Sequence, residues 1–393
     1  MKYFALIAVL VAGFQTSYGQ YCDPVKDKTC PNAILTAVPF LRIVPDARHA
    51  ALGDAGIATS ADANSIHHNA SRLAFIDSDM GLSVSYSPWL RALGLQDVYL
   101  AYLAGYKRIG ENQTIGASLR FFALGDLQYT DINGFSLGQG KPNEFEVALA
   151  YARKLSPYFS AALTGKFIYS NLATGQFVSD QEIVTGLAGA VDISFTYEKP
   201  ISIANGGTLR LGAAVTNIGS KVSYTRSEYK DFIPGNLGIG AGLEMNLDAY
   251  NKLTFLLDLN KMLAPTPNYN PDSEDYDANN NNIPDFREKS LFSGIFGSFG
   301  DAPGGFGEEI REICYSVGAE YWYNNQFAVR AGYYYEHPTK GNRQFLTAGL
   351  GLRYNIFGLN VSYLVPTSNQ RSALDNTLRF SLIFHFNKAT NEG

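Results

Sequence analysis

The 393-residue chain carries little charge and, after its first few residues, no long apolar run. Asp, Glu, Lys and Arg together make up 17% of it, and the formal charge of -5 supplies no basic face. Nucleic acid is therefore excluded as an expected partner. Three Cys and five His are present, and neither His337 nor His385 has a Ser or Asp companion evident in the sequence, so no catalytic constellation emerges and no enzyme is expected. Beyond Phe14 nothing approaches the roughly 18 consecutive apolar residues of a transmembrane helix. Tryptophan is scarce, with 2 residues against 25 Tyr and 25 Phe; that aromatic supply suits the girdles of a membrane barrel.

The start of the chain has a different logic. Met1-Lys2-Tyr3 leads into an apolar core from Phe4 to Phe14, and Ser17 and Gly19 are the small residues of a cleavage site before Gln20. Residues 1–19 thus read as an export signal, too short to span a bilayer, and imply a bacterial envelope protein. In that oxidising compartment Cys22 and Cys30 are expected to close a small disulfide loop. A metal site fits less well, because no second Cys or His pair lies nearby. Tyr21 before Cys22 is not the small residue of a lipoprotein anchor.

What is abundant is alternation. Leu378, Phe380, Leu382, Phe384 and Phe386 interleave with Arg379, Ser381, Ile383 and His385; Met80, Leu82, Val84 and Tyr86 interleave with Gly81, Ser83 and Ser85. A period of two places one set on lipid and the other toward a lumen. Segments of this kind are expected near 80–88, 97–108, 113–124, 144–153, 158–170, 184–197, 207–217, 235–246, 252–260, 312–323, 326–336, 344–354, 357–365 and 377–387. The fold class is accordingly all-β: a transmembrane antiparallel barrel of about 14 strands over 80–387 with a short tail at 388–393. A soluble sandwich or propeller would also alternate. It would not place so much aromatic surface on one presumed outer face.

Connections alternate short and long. Ile109 to Asn112, Lys154 to Pro157, Asn324 to Asn325 and Asn355 to Ile356 are tight, whereas Gly125 to Asn143, Asn171 to Ile183, Ile218 to Pro234 and 261–311 are long. Short turns belong to the periplasmic side and long loops to the outside. An even strand count brings the C-terminus to the periplasm, and the N-terminus is expected beside it. Gly235, Gly238, Gly240 and Gly242 do not match a dinucleotide fingerprint; kinks or close approach to an internal segment explain them better.

Residues 20–79 break the rhythm and are expected to fold, in large part, into the lumen as a plug. Pro39-Phe40-Leu41-Arg42-Ile43-Val44-Pro45-Asp46-Ala47-Arg48, then Ala51-Leu52-Gly53-Asp54-Ala55-Gly56-Ile57-Ala58-Thr59, Asp62-Ala63-Asn64-Ser65 and Asn69-Ala70-Ser71-Arg72-Leu73-Ala74-Phe75 resemble the N-terminal signature of the PorV proteins. The resemblance extends to strand number, loop order and length. Arg48-His49-Ala50-Ala51-Leu52 stands where relatives have a smaller or Met-containing run, and Asn69-Ala70 replaces a common Asn-Pro. His67 and His68 are expected to make polar contacts within the plug, since adjacent histidines point apart and no carboxylate cluster accompanies them at ligand spacing.

Two loop features carry candidate chemistry. Asp277, Asn279, Asn281, Asp285 and Glu288 stand at positions 1, 3, 5, 9 and 12 of a calcium loop, with the Ile283 carbonyl available at position 7 and Asn282 where Gly is usual. No cofactor is required, but weak calcium binding is expected here. Apolar residues also stand in loops that should meet water: Trp89, Leu90, Leu93 and Leu95 in the first, and Leu291, Phe292, Ile295 and Phe296 in the longest, in a run that reaches Gly300. Such residues mark a partner surface.

The resemblance implies an outer-membrane component of the Bacteroidetes type IX secretion system, related to FadL-type channels. Its implied partners are the SprA/Sov translocon, the C-terminal signal domains of secreted cargo and the cell-surface attachment complex that includes the PorU sortase, all met within outer-membrane lipid. FadL-like uptake of a hydrophobic small molecule is the alternative. A lumen filled by plug and polar side chains would favour the first reading, and an apolar lumen with a lateral gap the second.

Overall fold

The computed structural model describes residues 30–91, 94–130, 133–178, 181–226, 230–268, 276–281, 283–368 and 377–387. The signal segment, Cys22 and Leu93 lie outside them. Cys30 is engaged in a disulfide.

Fourteen strands close into one barrel. In chain order they are β1 (Met80–Pro88), β2 (Val98–Arg108), β3 (Gln113–Leu124), β6 (Asn143–Ser156), β7 (Phe159–Asn171), β10 (Gly186–Ile201), β11 (Gly207–Gly219), β12 (Asn236–Asn246), β13 (Asn251–Met262), β14 (Ile313–Tyr323), β15 (Phe327–Tyr335), β16 (Gln344–Tyr354), β17 (Phe357–Pro366) and β18 (Leu378–Phe386). The missing numbers are two hairpins that the alternation does not reveal: β4 (Leu127–Thr130) with β5 (Ser136–Gly140), and β8 (Phe177–Val178) with β9 (Gln181–Glu182). Both rise from long loops, and neither has enough alternating residues to register as a strand. Every neighbouring barrel pair is antiparallel, and β1 closes the ring by pairing with both β2 and β18, Val84 facing Leu103 on one side and Leu382 on the other.

Closure leaves no edge with unpaired backbone groups, which is what a bilayer requires of strands. The pleat then sorts side chains. On β18, Leu378, Phe380 and Leu382 are exposed on the outer wall while Arg379, Ser381 and Ile383 are buried inside. The same division holds on β10, where Leu187, Val191, Ile193 and Phe195 face out and Asp192, Ser194 and Thr196 face in. No helix among the described residues is long and apolar enough to cross a membrane.

At the short-turn end, Asn324, Asn325 and Asn355 adopt positive φ, the backbone that tight hairpins favour. At the opposite mouth the described part of the loop between β13 and β14 carries the short helices Asp285–Glu288, Leu291–Gly297 and Phe306–Arg311.

Residues 37–76 run through the barrel interior. The backbone N–H of Ala47 donates to Ser381 Oγ on β18 at 2.8 Å, that of Gly53 to Thr347 Oγ1 on β16 at 2.9 Å, and those of Gly56 and Ile57 to Asp258 Oδ2 on β13 at 2.7 and 2.8 Å. Asn69 Nδ2 donates to Thr196 Oγ1 on β10 at 3.0 Å, and Ser160 Oγ on β7 donates to the Ser71 carbonyl at 2.8 Å. Non-regular backbone buried at membrane depth must be satisfied within the protein, and the polar inner faces of the strands satisfy it.

The segment's direction corrects one expectation. Asn32 N donates to the Thr339 carbonyl and Ala37 N to the Phe232 carbonyl, both in connections on the long-loop side. At the other end Asp77 and Asp79 accept from Arg108, and Lys154 lies over the Phe75 ring, both beside short turns. Residues 30–38 therefore stand at the long-loop mouth, while β18 ends at the short-turn side, where His385 N donates to the Ile356 carbonyl. The two ends of the described chain are at opposite mouths. The reason is geometric: β1 starts at the short-turn side, so a segment that traverses the lumen to reach it must begin at the other mouth.

Candidate functional site

Two regions concentrate chemistry: the lumen and the long-loop mouth. In the lumen, the first turn, Pro39–Arg42, presents an exposed Pro39 at its start and buries Phe40 against Trp89, Leu100 and Phe122. The carbonyls of Phe40, Leu41 and Ile43 all accept from Arg120 Nη1, while Arg120 Nη2 pairs with Glu146 at 3.0 Å. Beyond the buried Pro45, Asp46 caps the helix Ala47–Ala50 by accepting from His49 N at 3.0 Å. Arg48 bridges Asp62 and Glu320, at 2.9 and 2.8 Å.

Close approach explains the glycines. Gly53 has φ +66, and a Cβ there would fall 2.6 Å from the Tyr333 backbone; a Cβ on Gly332 would fall 2.1 Å from Gly53 N. On β12, a Cβ on Gly238 or Gly240 would strike Ile57, and one on Gly242 the Ala58 carbonyl. The wall is glycine-lined where the segment leans on it.

Histidines that sequence spacing keeps apart meet here. His49 Nδ1 lies 2.9 Å from both oxygens of Asp46, and its Nε2 lies 3.0 Å from Thr59 Oγ1. Thr59 Oγ1 also accepts from Arg72. The His68 ring lies tilted against that of His49, with centroids 4.4 Å apart. Burial, and then His49, push His68 down to about 3. Burial and Arg120 hold His67 well below the usual imidazole range, and its Nδ1 faces Arg120 Nη2 at 3.0 Å. Burial would raise Asp46, yet His49 overrides it and keeps the carboxylate well below its usual range. The Asp46, His49 and Thr59 chain has the order of a hydrolytic triad, but the Thr59 hydroxyl is buried and covered by Arg72, which donates to both its Oγ1 and its carbonyl.

A cavity of about 140 Å³ remains between segment and wall, lined by Arg42, Asp54, His68, Lys166, Asp258, Glu336 and Arg343 among others. Its walls mix charged side chains with apolar ones such as Leu41, Ile57 and Met262. Arg42 Nη2 and Arg343 Nε both pair with Glu336, at 2.9 and 2.7 Å. Burial alone would raise Glu336, but Arg343 and then Arg42 bring it down to about 2.

At the long-loop mouth, Ser290 caps the helix Leu291–Gly297, which seats Gly294 on the Phe232 ring and buries Ile295. Leu291 is half-buried, but Phe292 and Phe296 are 66% and 74% exposed, one turn apart on the same face. Phe299, Phe306 and Ile310 extend the exposed apolar surface. Phe306 and Ile310 escaped the sequence reading because they stand among Gly and Glu rather than in an apolar run. Beneath them Lys261 pairs with Glu309 and Glu312, Lys340 with Glu308 and Glu312, and Asn32 Nδ2 donates to Glu308. This network ties the start of the luminal segment to the apolar-faced loop.

The first loop behaves differently. Trp89 is only 5% exposed, packed edge-on against Phe122 and beneath Arg379, and Leu90 packs on the same cluster. Trp89 is thus part of the barrel interior, a correction to its expected place on a partner surface: one residue beyond β1, it continues that strand's inward-facing set and joins the buried cluster of Phe40 and Val98. Leu95 remains exposed.

In the expected calcium loop, Asp277 Oδ1 accepts from Asn281 N at 3.0 Å and the two Glu288 oxygens accept from the Asn279 and Asn281 amides, each at 2.7 Å. Asn281 Oδ1 accepts from Ile283 N at 2.9 Å, and Asp285 opens the helix that ends at Glu288. Asn282 lies outside the described residues.

Over residues 26–269 the chain matches the family described as "Type IX secretion system protein PorV". No curated protein matches it. Among solved structures it is similar to the Ralstonia pickettii toluene transporter TbuX, with 11% identity over 87% of this chain and 98% of that one and a TM-score of 0.49. It is also similar to the P. putida toluene transporter TodX, with 10% identity over 88% and 99% of the two chains and a TM-score of 0.49. A Pseudomonas aeruginosa FadL homologue matches with 11% identity over 91% and 100% and a TM-score of 0.44.

Proposed function

The chain belongs to the PorV family and is an outer-membrane β-barrel protein of the type IX secretion system, and on that premise we propose that it works by binding protein: it receives cargo, through the cargo's C-terminal signal domain, at the SprA/Sov translocon and hands it to the cell-surface attachment complex that includes PorU. One observation carries this reading over permeation. The lumen is crossed by residues 37–76, and ion pairs on Arg48, Arg120 and Arg343 bind that segment and the wall together, so among the described residues the interior is built as a fixed polar plug rather than as an apolar conduit. The apolar surface sits instead outside, on Phe292, Phe296, Phe299 and Phe306 at the long-loop mouth. An exposed aromatic patch over a fixed charge network suits a protein partner, since aromatic anchors dominate such contacts.

The test is removal of the gene, followed by parallel assays of surface delivery of cargo bearing the type IX signal and of fatty-acid uptake. Cargo should be retained while uptake is unchanged. Normal delivery with failed uptake would overturn the reading. In the intact protein, Phe292→Asp with Phe296→Asp should abolish co-purification of the translocon while the barrel still folds; full recovery would remove this helix from the interface.

A further inference from the structure

We propose that Asp46, His49 and His68 form a binding site for a divalent transition metal, Zn2+ by the chemistry of the donors, buried inside the barrel. The proposal is independent of the cargo-binding reading. Among the described residues this is the one group of three potential ligands whose donor atoms all lie within 4.8 Å of one another. His49 Nδ1 and His68 Nε2 lie 2.9 and 3.8 Å from Asp46 Oδ2. Ligand atoms about 2.0–2.1 Å from a tetrahedral ion are a little over 3 Å apart, so the two distances to Asp46 need to change by only about half an ångström, and the two imidazole donors, within 4.8 Å of each other, must draw together around the ion.

Three further features point the same way. His68 Nε2 is buried and has no hydrogen-bond partner among the described residues, an unusual state for an imidazole nitrogen 3.8 Å from a carboxylate oxygen. The ring is held there by Gly56: a Cβ on that residue would lie 2.3 Å from His68 Nδ1. His49 has the outer support typical of a ligand, its Nε2 facing Thr59 Oγ1, which Arg72 holds in turn. On binding, the ion takes the place of the proton between His49 Nδ1 and Asp46; that proton leaves to solvent, as metal ligation requires, while Nε2 keeps its contact with Thr59 Oγ1. Of the three residues His68 alone lines the cavity, so an ion would enter past its ring to reach Asp46 and His49 behind it. Two imidazoles and one carboxylate are a borderline donor set that suits Zn2+ over Mg2+ or Ca2+. His67 takes no part, because its Nδ1 faces Arg120.

The experiment uses the full-length protein in detergent, stripped with chelator, loaded with Zn2+ and desalted, with metal measured by mass spectrometry. Wild type should retain one ion per chain, and Co2+ in its place should show the visible absorption of a tetrahedral nitrogen–oxygen site. H68Q and H49Q should bind at least tenfold more weakly, and Thr59→Val should lose between about 10- and 100-fold. Cys314→Ser, which alters another donor lining the cavity, should bind as wild type. Heat-modifiable migration on gels reports whether each variant is folded; should either His variant fail to fold, the Co2+ spectrum of wild type decides alone. Absence of stoichiometric metal in wild type, a Co2+ spectrum without tetrahedral character, or undiminished binding by folded H68Q would overturn the proposal.

Discussion

Arg48 Nη2 lies 2.8 Å from Glu320 Oε1 and Arg48 Nε 3.0 Å from Glu320 Oε2, a two-point ion pair between the luminal segment and β14. Arg330 Nε shares the same carboxylate at 2.6 Å. Arg48→Ala leaves Asp62 without this partner and Glu320 dependent on Arg330 alone. Breaking a buried pair from one side costs of the order of 3–5 kcal/mol. We expect loss toward the lower end of that range, because Arg330 remains, read as a lower denaturant midpoint. Faster trypsin cleavage within residues 37–76 should accompany it. An unchanged midpoint would show that the pair is dispensable.

Acid should loosen the same segment at its other anchor. Glu336 is brought down to about 2 in the folded protein, so its pairing with Arg343 and Arg42 contributes stability above the unfolded carboxylate range. That contribution is lost as pH falls from about 4.5 to about 2, and a shift of this size corresponds to roughly 3 kcal/mol. Glu336→Gln should flatten the stability curve across this window and lower stability at neutral pH. A variant curve parallel to wild type would refute the assignment.

Backbone packing gives a sharper steric test. Gly332→Val places side-chain atoms against Gly53 N and Leu52 C, backbone that cannot turn aside. Overpacking of this kind costs about 1–3 kcal/mol or displaces the segment. Gly165→Val, at a position with no atom near the added Cβ, is the matched control. Limited proteolysis should expose residues 37–76 in the first variant only; equal protection in both would remove the steric argument.

The loop from Asp277 to Glu288 is proposed as a weak calcium site. Calcium at about 0.1–1 mM, the range of extracellular modules, should slow proteolysis of this loop in wild type. Glu288→Gln should abolish the effect. Equal protection of both proteins by calcium would place the ion elsewhere.

Much of the architecture was legible because a barrel repeats one local rule. Leu378, Phe380 and Leu382 alternate with Arg379 and Ser381, and a period of two allows only one face of each to meet lipid. The tight Asn324-Asn325 and Asn355-Ile356 turns fixed strand parity by the same local chemistry. The hairpins β4–β5 and β8–β9 were not legible, since strands of two to five residues carry no measurable period.

The site divides similarly. An exposed Phe292–Phe296 face could be expected from an apolar run in a long loop, and its exposure follows from the helix period once Gly294 is seated on Phe232. Trp89 looked equivalent in sequence, yet it continues the inward set of Ser83, Ser85 and Ser87 and so joins the buried cluster with Phe40. The direction of residues 30–76 through the lumen, and the meeting of Asp46, His49 and His68, depend on contacts between residues distant in the chain. By itself the sequence determined a closed barrel with an interior segment, because periodicity and turn residues act over a few positions. Only the tertiary structure decided which mouth that segment starts from, which aromatics it hides and which imidazoles it brings to one carboxylate, because those outcomes depend on how a non-periodic segment is packed by the full ring of strands.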